Sequence, residues 1–210
     1  MAQQVFPTKS NLMATRRSLA LASQGYELMD RKRNILVREM MRLIDRAAAI
    51  QDKISAAYAE AYAALQRANI TLGSVGEFTA SVPVEHGLQV ARRSVMGVEL
   101  PTVTLKPSAP LGLYYGLEST NGTLDTAYLK FNEVKALTVE LAEVETSVVR
   151  LAEAIRKTQK RANALENIVI PNLDETVRFI TEALEEKERE EFARLKVIKR
   201  VTTGKGPAAG

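Results

Sequence analysis

Apolar residues recur at alternating spacings of three and four through the first third of the chain, and this pattern restricts the fold more than any other feature. Between Leu12 and Ala68 only Thr15 and Arg33 interrupt it. The segment from Thr8 to Ile70 contains no Pro and one Gly, Gly25. The positions in phase are Leu12, Thr15, Leu19, Ala22, Tyr26, Met29, Arg33, Leu36, Met40, Leu43, Ala47, Ile50, Ile54, Ala57, Ala61, Ala64 and Ala68. A seam of this length predicts a coiled-coil helix rather than a helix of a globular core.

The C-terminal third carries a second seam of the same kind. Its positions are Val134, Leu137, Leu141, Val144, Val148, Leu151, Ile155, Thr158, Ala162, Leu165 and Val169, followed by a shift of phase to Leu173, Val177, Ile180 and Leu184. Pro171 lies at the shift, and a proline inside a helix removes one backbone hydrogen bond at a cost of about 3 kcal/mol. Because helical composition resumes at once, we expect a kink near Pro171 in a continuing helix, with the Asn167 carbonyl left without its usual partner.

Neither helix could bury its apolar stripe alone, so we expect the two to pair antiparallel. The predicted fold class is all-α: a long antiparallel two-helix coiled coil with a short β-hairpin-containing middle segment. Residues 1–70 would form the N-terminal long helix, with Thr8 after Pro7 as its N-cap. Residues 71–123 would form the middle segment, residues 124–199 the C-terminal long helix, and residues 200–210 a flexible tail.

The middle segment differs from the helices in composition. It concentrates the structure breakers Pro83, Pro101, Pro107, Pro110, Gly73 and Gly97. Two stretches rich in β-branched residues, LQVARRSV and VELPTVTL, flank Met96–Gly97 and predict a hairpin that turns there. A lone hairpin is marginal in water, so we expect this middle segment to pack on the end of the coiled coil or on another chain. The apolar residues Leu111, Leu113, Tyr114 and Tyr115 would either form an exposed docking patch or fold back onto the hairpin's own end.

Composition excludes several classes of site and protein. The chain has no Cys, which removes disulfides, thiol nucleophiles and the usual soft metal ligands. The opening MAQQVFPTKSNLMATRR lacks a long apolar run, so no secretory signal is expected, and no stretch approaches the roughly 20 apolar residues of a membrane span. The net charge is +4, but the basic residues are spread along the chain and mixed with acidic residues. This mixture is typical of solvated helix faces and gives little support to nucleic-acid binding.

The weak site signals each have a simpler interpretation. Gly204–Lys205 resembles the end of a phosphate-binding loop, but Lys199 stands where the motif needs Gly and Gly206 where it needs Ser or Thr. His86, the single histidine, has no Cys or second His to complete a zinc site. The carboxylates of LEEKEREE are expected to form exposed ion pairs, and the sequons at Asn69 and Asn121 mean little without a secretion signal. We therefore predict no catalytic, cofactor-binding or metal-binding residues, and no cofactor.

Arg33 is the charged residue on the first seam. One interpretation is a polar residue that fixes the register of helix pairing at a cost in stability. The other is that its side chain extends along the seam until the guanidinium reaches water. The sequence leaves both open.

Two stretches resemble a known family. The segment from Arg161 to Lys199, RANALENIVIPNLDETVRFITEALEEKEREEFARLKVIK, is similar to the C-terminal signature of the D subunits of V-type and A-type rotary ATPases. The segment from Pro7 to Glu39 looks like the opening of the same family. The run from Asn163 to Glu166, Pro171, and the RLK of residues 194–196 carry most of the resemblance.

The resemblance implies a non-catalytic central-stalk rotor subunit that transmits torque between a catalytic ATP-hydrolysing ring and a membrane ion-translocating ring. It implies catalytic and nucleotide-binding ring subunits around both termini, and a small central-stalk subunit and a membrane-ring adaptor at the middle segment. The location would be cytoplasmic, peripheral to the membrane within the complex. The periodicity also fits a coiled-coil scaffold or prefoldin-like chaperone, and less well a nucleic-acid-binding coiled coil.

Overall fold

A computed structural model describes residues 6–106, 112, 114–118, 120–202 and 204, apart from the side chain of Thr79. Its elements in chain order are α1 (Lys9–Leu72), α2 (Gly76–Thr79), β1 (Leu88–Val95), β2 (Val98–Leu105), α3 (Gly122–Ala164), a π-helical turn (Leu165–Val169) and α4 (Ile170–Thr202). The predicted fold class, helical with a β-hairpin in the middle, is confirmed. Leu111, Leu113 and Lys205, which the sequence singled out, lie outside the described residues.

The first predicted seam is the buried face of α1. All of its positions from Leu12 to Ala68 are buried or half-buried, and those fully buried are Leu36, Leu43, Ile50, Ile54, Ala61, Ala64 and Ala68. The helix begins where predicted, because the Asn11 N–H donates to the Thr8 hydroxyl oxygen at 3.2 Å. Thr8 therefore acts as the N-cap of α1.

The chain divides into two compact units. The central unit contains Lys32–Lys157, and the terminal unit contains the residues up to Arg31 and from Thr158 onward. Each unit holds one part of the helix pairing and is described separately.

In the central unit α1 and α3 run antiparallel. Arg46 of α1 pairs with Glu140 of α3, and Glu60 further along α1 pairs with Lys130 earlier in α3. The core between them consists of Leu36, Leu43, Ile50 and Ile54 of α1, Val144 and Leu151 of α3, and Leu100 of β2. Burial of a side chain of this size contributes about 1.5–3 kcal/mol, so the seam supplies most of the stability of the pair.

In the terminal unit α1 pairs antiparallel with the π-helical turn and α4. The Tyr26 hydroxyl donates to Glu166 at 3.1 Å, and Lys9 pairs with Glu188 at 3.0 Å. Ile180 of α4 is fully buried, and Ala162 is nearly so. The pairing therefore extends to the first residue of α1.

The helix continues past Pro171 as expected, and a π-helical turn lies directly before the proline. The Ile170 N–H donates to the Leu165 carbonyl, five residues earlier, in place of the usual four. The assignment of Val169 to the seam was wrong, because Val169 is 37% exposed while Ile170 is half-buried. The reason is geometric: a π turn takes one extra residue, so the seam passes from Leu165 to Ile170 and then meets the predicted second phase at Leu173.

The hairpin forms where the sequence placed it. Strands β1 and β2 pair antiparallel from Leu88↔Leu105 to Val95↔Val98. Met96 and Gly97 form the two-residue loop with φ values of 50° and 79°, the combination found in type I′ turns. The middle segment packs on the end of the coiled coil, as expected, through Val75 and Tyr115, which share a core with Ala68 of α1 and Leu124 of α3. The hairpin packs elsewhere, because Leu100 of β2 belongs to the same core as Leu36 and Leu151, well before the end of α1.

Candidate functional surfaces

The last part of α4 extends beyond the start of its partner helix. Lys9 begins α1 and pairs with Glu188, whereas α4 continues to Thr202, roughly four turns further. All residues from Glu185 to Thr202 are exposed. They include the large apolar side chains Phe192, Leu195, Val197, Ile198 and Val201. An exposed helix of this composition is a surface that another chain could cover.

The charged residues at the start of this segment form short-range pairs along the helix. Arg189 lies 3.9 Å from Glu185 and 3.7 Å from Glu186, and Arg194 lies 3.6 Å from Glu190. These are the exposed pairs that the sequence predicted. Exposed pairs of this kind contribute little stability, so they can exchange for other partners at small cost.

A polar cluster ties the end of α1 to the start of α3. The Thr123 N–H donates to the Asn121 side-chain oxygen at 3.2 Å, which makes Asn121 the N-cap of α3. The Asn121 amide in turn donates to the Thr71 hydroxyl at 3.1 Å, and the Thr71 and Thr123 hydroxyls are 3.1 Å apart. We call these three residues the clasp. Asn121, a sequon residue in the sequence, thus serves to join the two helices.

An apolar cavity of about 430 Å³ lies beside the first turns of α3. Its lining includes Leu65, Val75, Phe78, Val82, Val84, Tyr115, Leu124, Tyr128 and Phe131. Tyr115 is buried here, in a small core with Ala68, Val75 and Leu124, and its hydroxyl donates to Asp125. The exposed docking patch proposed for Tyr115 was therefore wrong, because the residue folds back onto the ends of α1 and α3.

Burial, together with the hydrogen bond to Asp125, raises the pKa of Tyr115 well above its usual value. Tyr115 therefore stays protonated at physiological pH and acts as a fixed donor. Its ring also meets that of Tyr128 edge-to-face, with centroids 6.5 Å apart. These contacts give the loop before α3 a defined position on the helix pair.

The two edges of the hairpin differ. The outer edge of β2 faces α3, where the Val103 N–H donates to Glu143 at 2.6 Å and the Glu99 carbonyl accepts from Arg150 at 3.1 Å. Strand β1 has no strand beyond it in the part of the chain that the structure describes, and all its residues before Val95 are exposed.

Two of the weak site signals, His86 and Gly204, fall outside the helices and strands. His86 is exposed in the segment before β1, and Gly204 follows α4 with a φ of 67°. Within the described residues, no three or more His, Cys, Asp or Glu side chains form a group that could hold a metal ion. Arg33 is half-buried, and its guanidinium reaches the Asn34 amide oxygen at 3.5 Å in an exposed contact, which favours the interpretation that it extends from the seam toward water.

Sequence reasoning missed the clasp and the β2 contacts. Asn121 with a following Thr123 is a recognisable capping pattern, but nothing in the sequence pairs it with Thr71. Glu143 and Arg150 lie at solvent-facing positions of the predicted helix, so their roles depend on where the hairpin lies.

Comparisons with known proteins agree along nearly the whole chain. Residues 11–200 match the family described as the D subunit of ATP synthase. The D subunit of the V-type ATP synthase of Thermotoga neapolitana is 43% identical over 197 residues, which cover 93% of this chain and 97% of that protein. The D subunit of the A-type ATP synthase of Thermococcus kodakarensis is 40% identical over 200 residues, covering 93% of each chain, and that of Pyrococcus abyssi is 36% identical over 201 residues, with the same coverage.

Proposed function

The chain belongs to the family of ATP synthase D subunits, and on that premise we propose that it is the central-stalk rotor subunit of a V-type or A-type ATPase or ATP synthase. It would transmit torque between the ATP-hydrolysing ring and the membrane ion-translocating ring. Two antiparallel helices joined along an apolar seam resist twisting and bending better than either helix alone, which is the property that a shaft requires.

The observation that best supports this proposal is the exposed end of α4. Apolar side chains such as Phe192, Leu195 and Ile198 stand in water in the isolated chain, at a cost that contact with other subunits would remove. Arg189 and Arg194 beside them form ion pairs with carboxylates of the same helix. A surface of this kind can contact each member of a surrounding ring in turn, because no single ion pair is strong.

The test is reconstitution of the nucleotide-binding ring with variants of α4. Leu195→Glu should weaken entry into the ring and lower ATP-driven rotation, because it places a charge in the apolar contact. Lys196→Glu, one residue away and also exposed, is the control for added negative charge and should assemble nearly normally. Equal behaviour of the two variants would contradict a role for the apolar surface.

The chain would have no catalytic activity of its own. Purified alone, it should neither bind nor hydrolyse ATP, and turnover that survives removal of all ring subunits would overturn the proposal. Among the described residues, no helix combines the length and apolar character that a membrane crossing requires. We propose a cytoplasmic location, peripheral to the membrane as part of the complex.

The middle segment would hold the small central-stalk subunit and the membrane-ring adaptor. Support comes from the apolar cavity and from Val84, which lines it and is 74% exposed. Val84→Glu should weaken binding of one of these subunits. Val149→Glu on α3, where the valine is 59% exposed, controls for adding a charge at an exposed apolar site. Unchanged binding of both subunits to the Val84 variant would remove the cavity rim from the interface.

The family match favours the rotor stalk over the coiled-coil scaffold and the prefoldin-like chaperone. A chaperone of that class would suppress aggregation of an unfolded client protein at stoichiometric amounts. We expect the purified chain to leave the aggregation of such a client unchanged, as followed by light scattering.

A further inference from the structure

We propose that the apolar cavity beside the first turns of α3 is a binding site for a small, uncharged aromatic molecule. Cavities that bind small molecules commonly measure about 300–1,000 Å³ and are lined mainly by apolar and aromatic side chains. At about 430 Å³, with a lining of that kind, this cavity meets both conditions. The inference concerns the chain by itself and does not rest on the proposed function.

The cavity has two walls of different origin. Leu65 of α1 and Leu124, Tyr128 and Phe131 of α3 belong to the first wall, on the helix pair. The second wall is formed by residues 75–84, which include α2. The site therefore lies between the helix pair and a single connecting segment.

This connecting segment is fixed at both ends. Thr71, shortly before it, belongs to the clasp. Directly after it, the Glu85 carboxylate lies 3.0 Å from the Lys135 ammonium of α3 and also accepts from the Gly87 N–H at 3.0 Å. A wall held at both ends cannot settle freely onto the helices, and a site that collapses only in part keeps a cavity, at a cost in stability. A ligand that filled the cavity would restore the missing contacts.

The lining determines the charge of the ligand. The residues around the cavity are aliphatic, aromatic, glycine or proline, and none of these lining residues carries a charge at neutral pH. The Tyr115 hydroxyl already donates to Asp125. A charged ligand would lose its hydration here without gaining a partner. Water is also a poor occupant, because a buried water needs about two to four polar partners.

The lining also indicates the shape of the ligand. It includes the rings of Phe78, Tyr115, Tyr128 and Phe131, and those of Tyr115 and Tyr128 meet edge-to-face with centroids 6.5 Å apart. Aromatic rings pair favourably with further rings in stacked or edge-to-face arrangements. Since a dry apolar cavity of about 150 Å³ holds one benzene molecule, this cavity has room for a molecule of roughly two fused rings.

The cavity opens to solvent at one side of the connecting segment. Val84 lines it and is nevertheless 74% exposed, and the neighbouring Pro83 is also exposed. On α3, by contrast, the lining residues Leu124 and Ala127 are buried. A ligand would therefore enter at Val84 and lie behind it, and the exposed side of Val84 could still contact another subunit.

The test is calorimetric titration of the free full chain with naphthalene. We expect saturable binding, and naphthalene sulfonate, which adds a charge to the same rings, should bind weaker by about tenfold or more. Ala127→Leu should fill part of the cavity and weaken naphthalene binding by about tenfold or more, because close-packed interiors leave no room for both groups. Ala152→Leu adds the same side chain at an exposed position of α3 and should leave the affinity nearly unchanged. Equal affinities of the two variants would overturn the inference.

A second measurement covers the case in which Ala127→Leu does not fold. In nuclear magnetic resonance spectra of the unmodified chain, naphthalene should show Overhauser contacts with the Tyr128 and Phe131 rings. Phe192 of α4, which is 71% exposed, is the control for non-specific association. Contacts with Phe192 as strong as those with Tyr128 would overturn the inference.

The remaining alternative is that a side chain of another subunit fills the cavity. We expect bound naphthalene to stay on the chain when the small central-stalk subunit or the membrane-ring adaptor is added, because the ligand lies behind Val84. Displacement of naphthalene by either subunit would assign the cavity to that subunit and contradict a small-molecule site. If the chain enters no complex, the proposed function fails, and the titration of the free chain still decides this inference.

Discussion

Gly25 of α1 lies against Leu165, the first residue of the π-helical turn, and a methyl group placed on Gly25 would be 3.8 Å from the Leu165 Cδ1 atom. That distance is an ordinary contact, so the position has room for a side chain. Glycine inside a helix is less favourable than alanine by about 0.5–1 kcal/mol. Gly25→Ala should therefore stabilise the chain by about that amount in urea unfolding. Gly97→Ala is the control, since its φ of 79° makes the same substitution destabilising. A loss of stability in the Gly25 variant would show that the contact with Leu165 is too close.

The turn of the hairpin contains a residue in an unfavourable backbone conformation. Met96 has a φ of 50°, a region that Asn adopts far more readily than Met. Met96→Asn should raise the melting temperature, with a gain of up to about 1 kcal/mol, because Asn-Gly is a preferred type I′ pair. Met96→Ile should lower it, since a β-branched residue is disfavoured at positive φ. The same sign for both variants would mean that the Met96 side chain, and not its backbone, decides the effect.

The clasp predicts that two substitutions of Asn121 lower the free energy of unfolding by different amounts. Asn121→Ala removes the N-cap of α3 and the donor to Thr71, and should cost about 1 kcal/mol in the free energy of unfolding. Asn121→Asp keeps a capping oxygen but loses the amide donor, so it should recover most of that loss. Thermal unfolding followed by circular dichroism measures both. If the Asp variant is as unstable as the Ala variant, the bond to Thr71 matters more than the cap.

The ion pair between Glu60 and Lys130 predicts a dependence of stability on pH. Its hydrogen bond to Lys130 lowers the pKa of Glu60 below its ordinary value of 4.5, and the hydrogen bond to Glu60 raises the pKa of Lys130 above 10.5. The ion pair therefore contributes its full stabilisation at pH values between 4.5 and 10.5. It is lost as pH falls through the folded-state pKa of Glu60, and again as pH rises through that of Lys130. In urea unfolding, the difference between the unmodified chain and Glu60→Gln should vanish at both extremes, and a difference that persists in strong acid, with Glu60 fully protonated, would contradict this assignment.

The helical part of the fold was predictable because the information is local. Each seam residue, from Leu12 to Ala68, is identified by its spacing from its neighbours, and Thr8 marks a helix start by its own side chain. The hairpin followed from β-branched stretches around Met96–Gly97. All these signals lie within a few residues of what they specify.

The contacts that were not predictable join residues distant in sequence. Nothing near Leu100 in the sequence shows that it shares a core with Leu36 and Leu151, and the burial of Tyr115 depends on α1 and α3 together. The π-helical turn was missed for a different reason. Pro171 signalled an irregularity, but periodicity alone could not show whether the chain would bend or take up one extra residue, and so Val169 was misplaced.

The π-helical turn has a consequence for chain length. Leu165 and Ile170 lie on the same face although five residues apart, so the chain contains one residue more than a regular helix would need there. Deleting Val169 would restore a spacing of four and leave the seam in phase, but it would also place Pro171 in an ordinary helical turn at a cost of about 3 kcal/mol. The surplus residue and the proline therefore form a compensating pair: deletion alone should destabilise the chain, and deletion combined with Pro171→Ala should not.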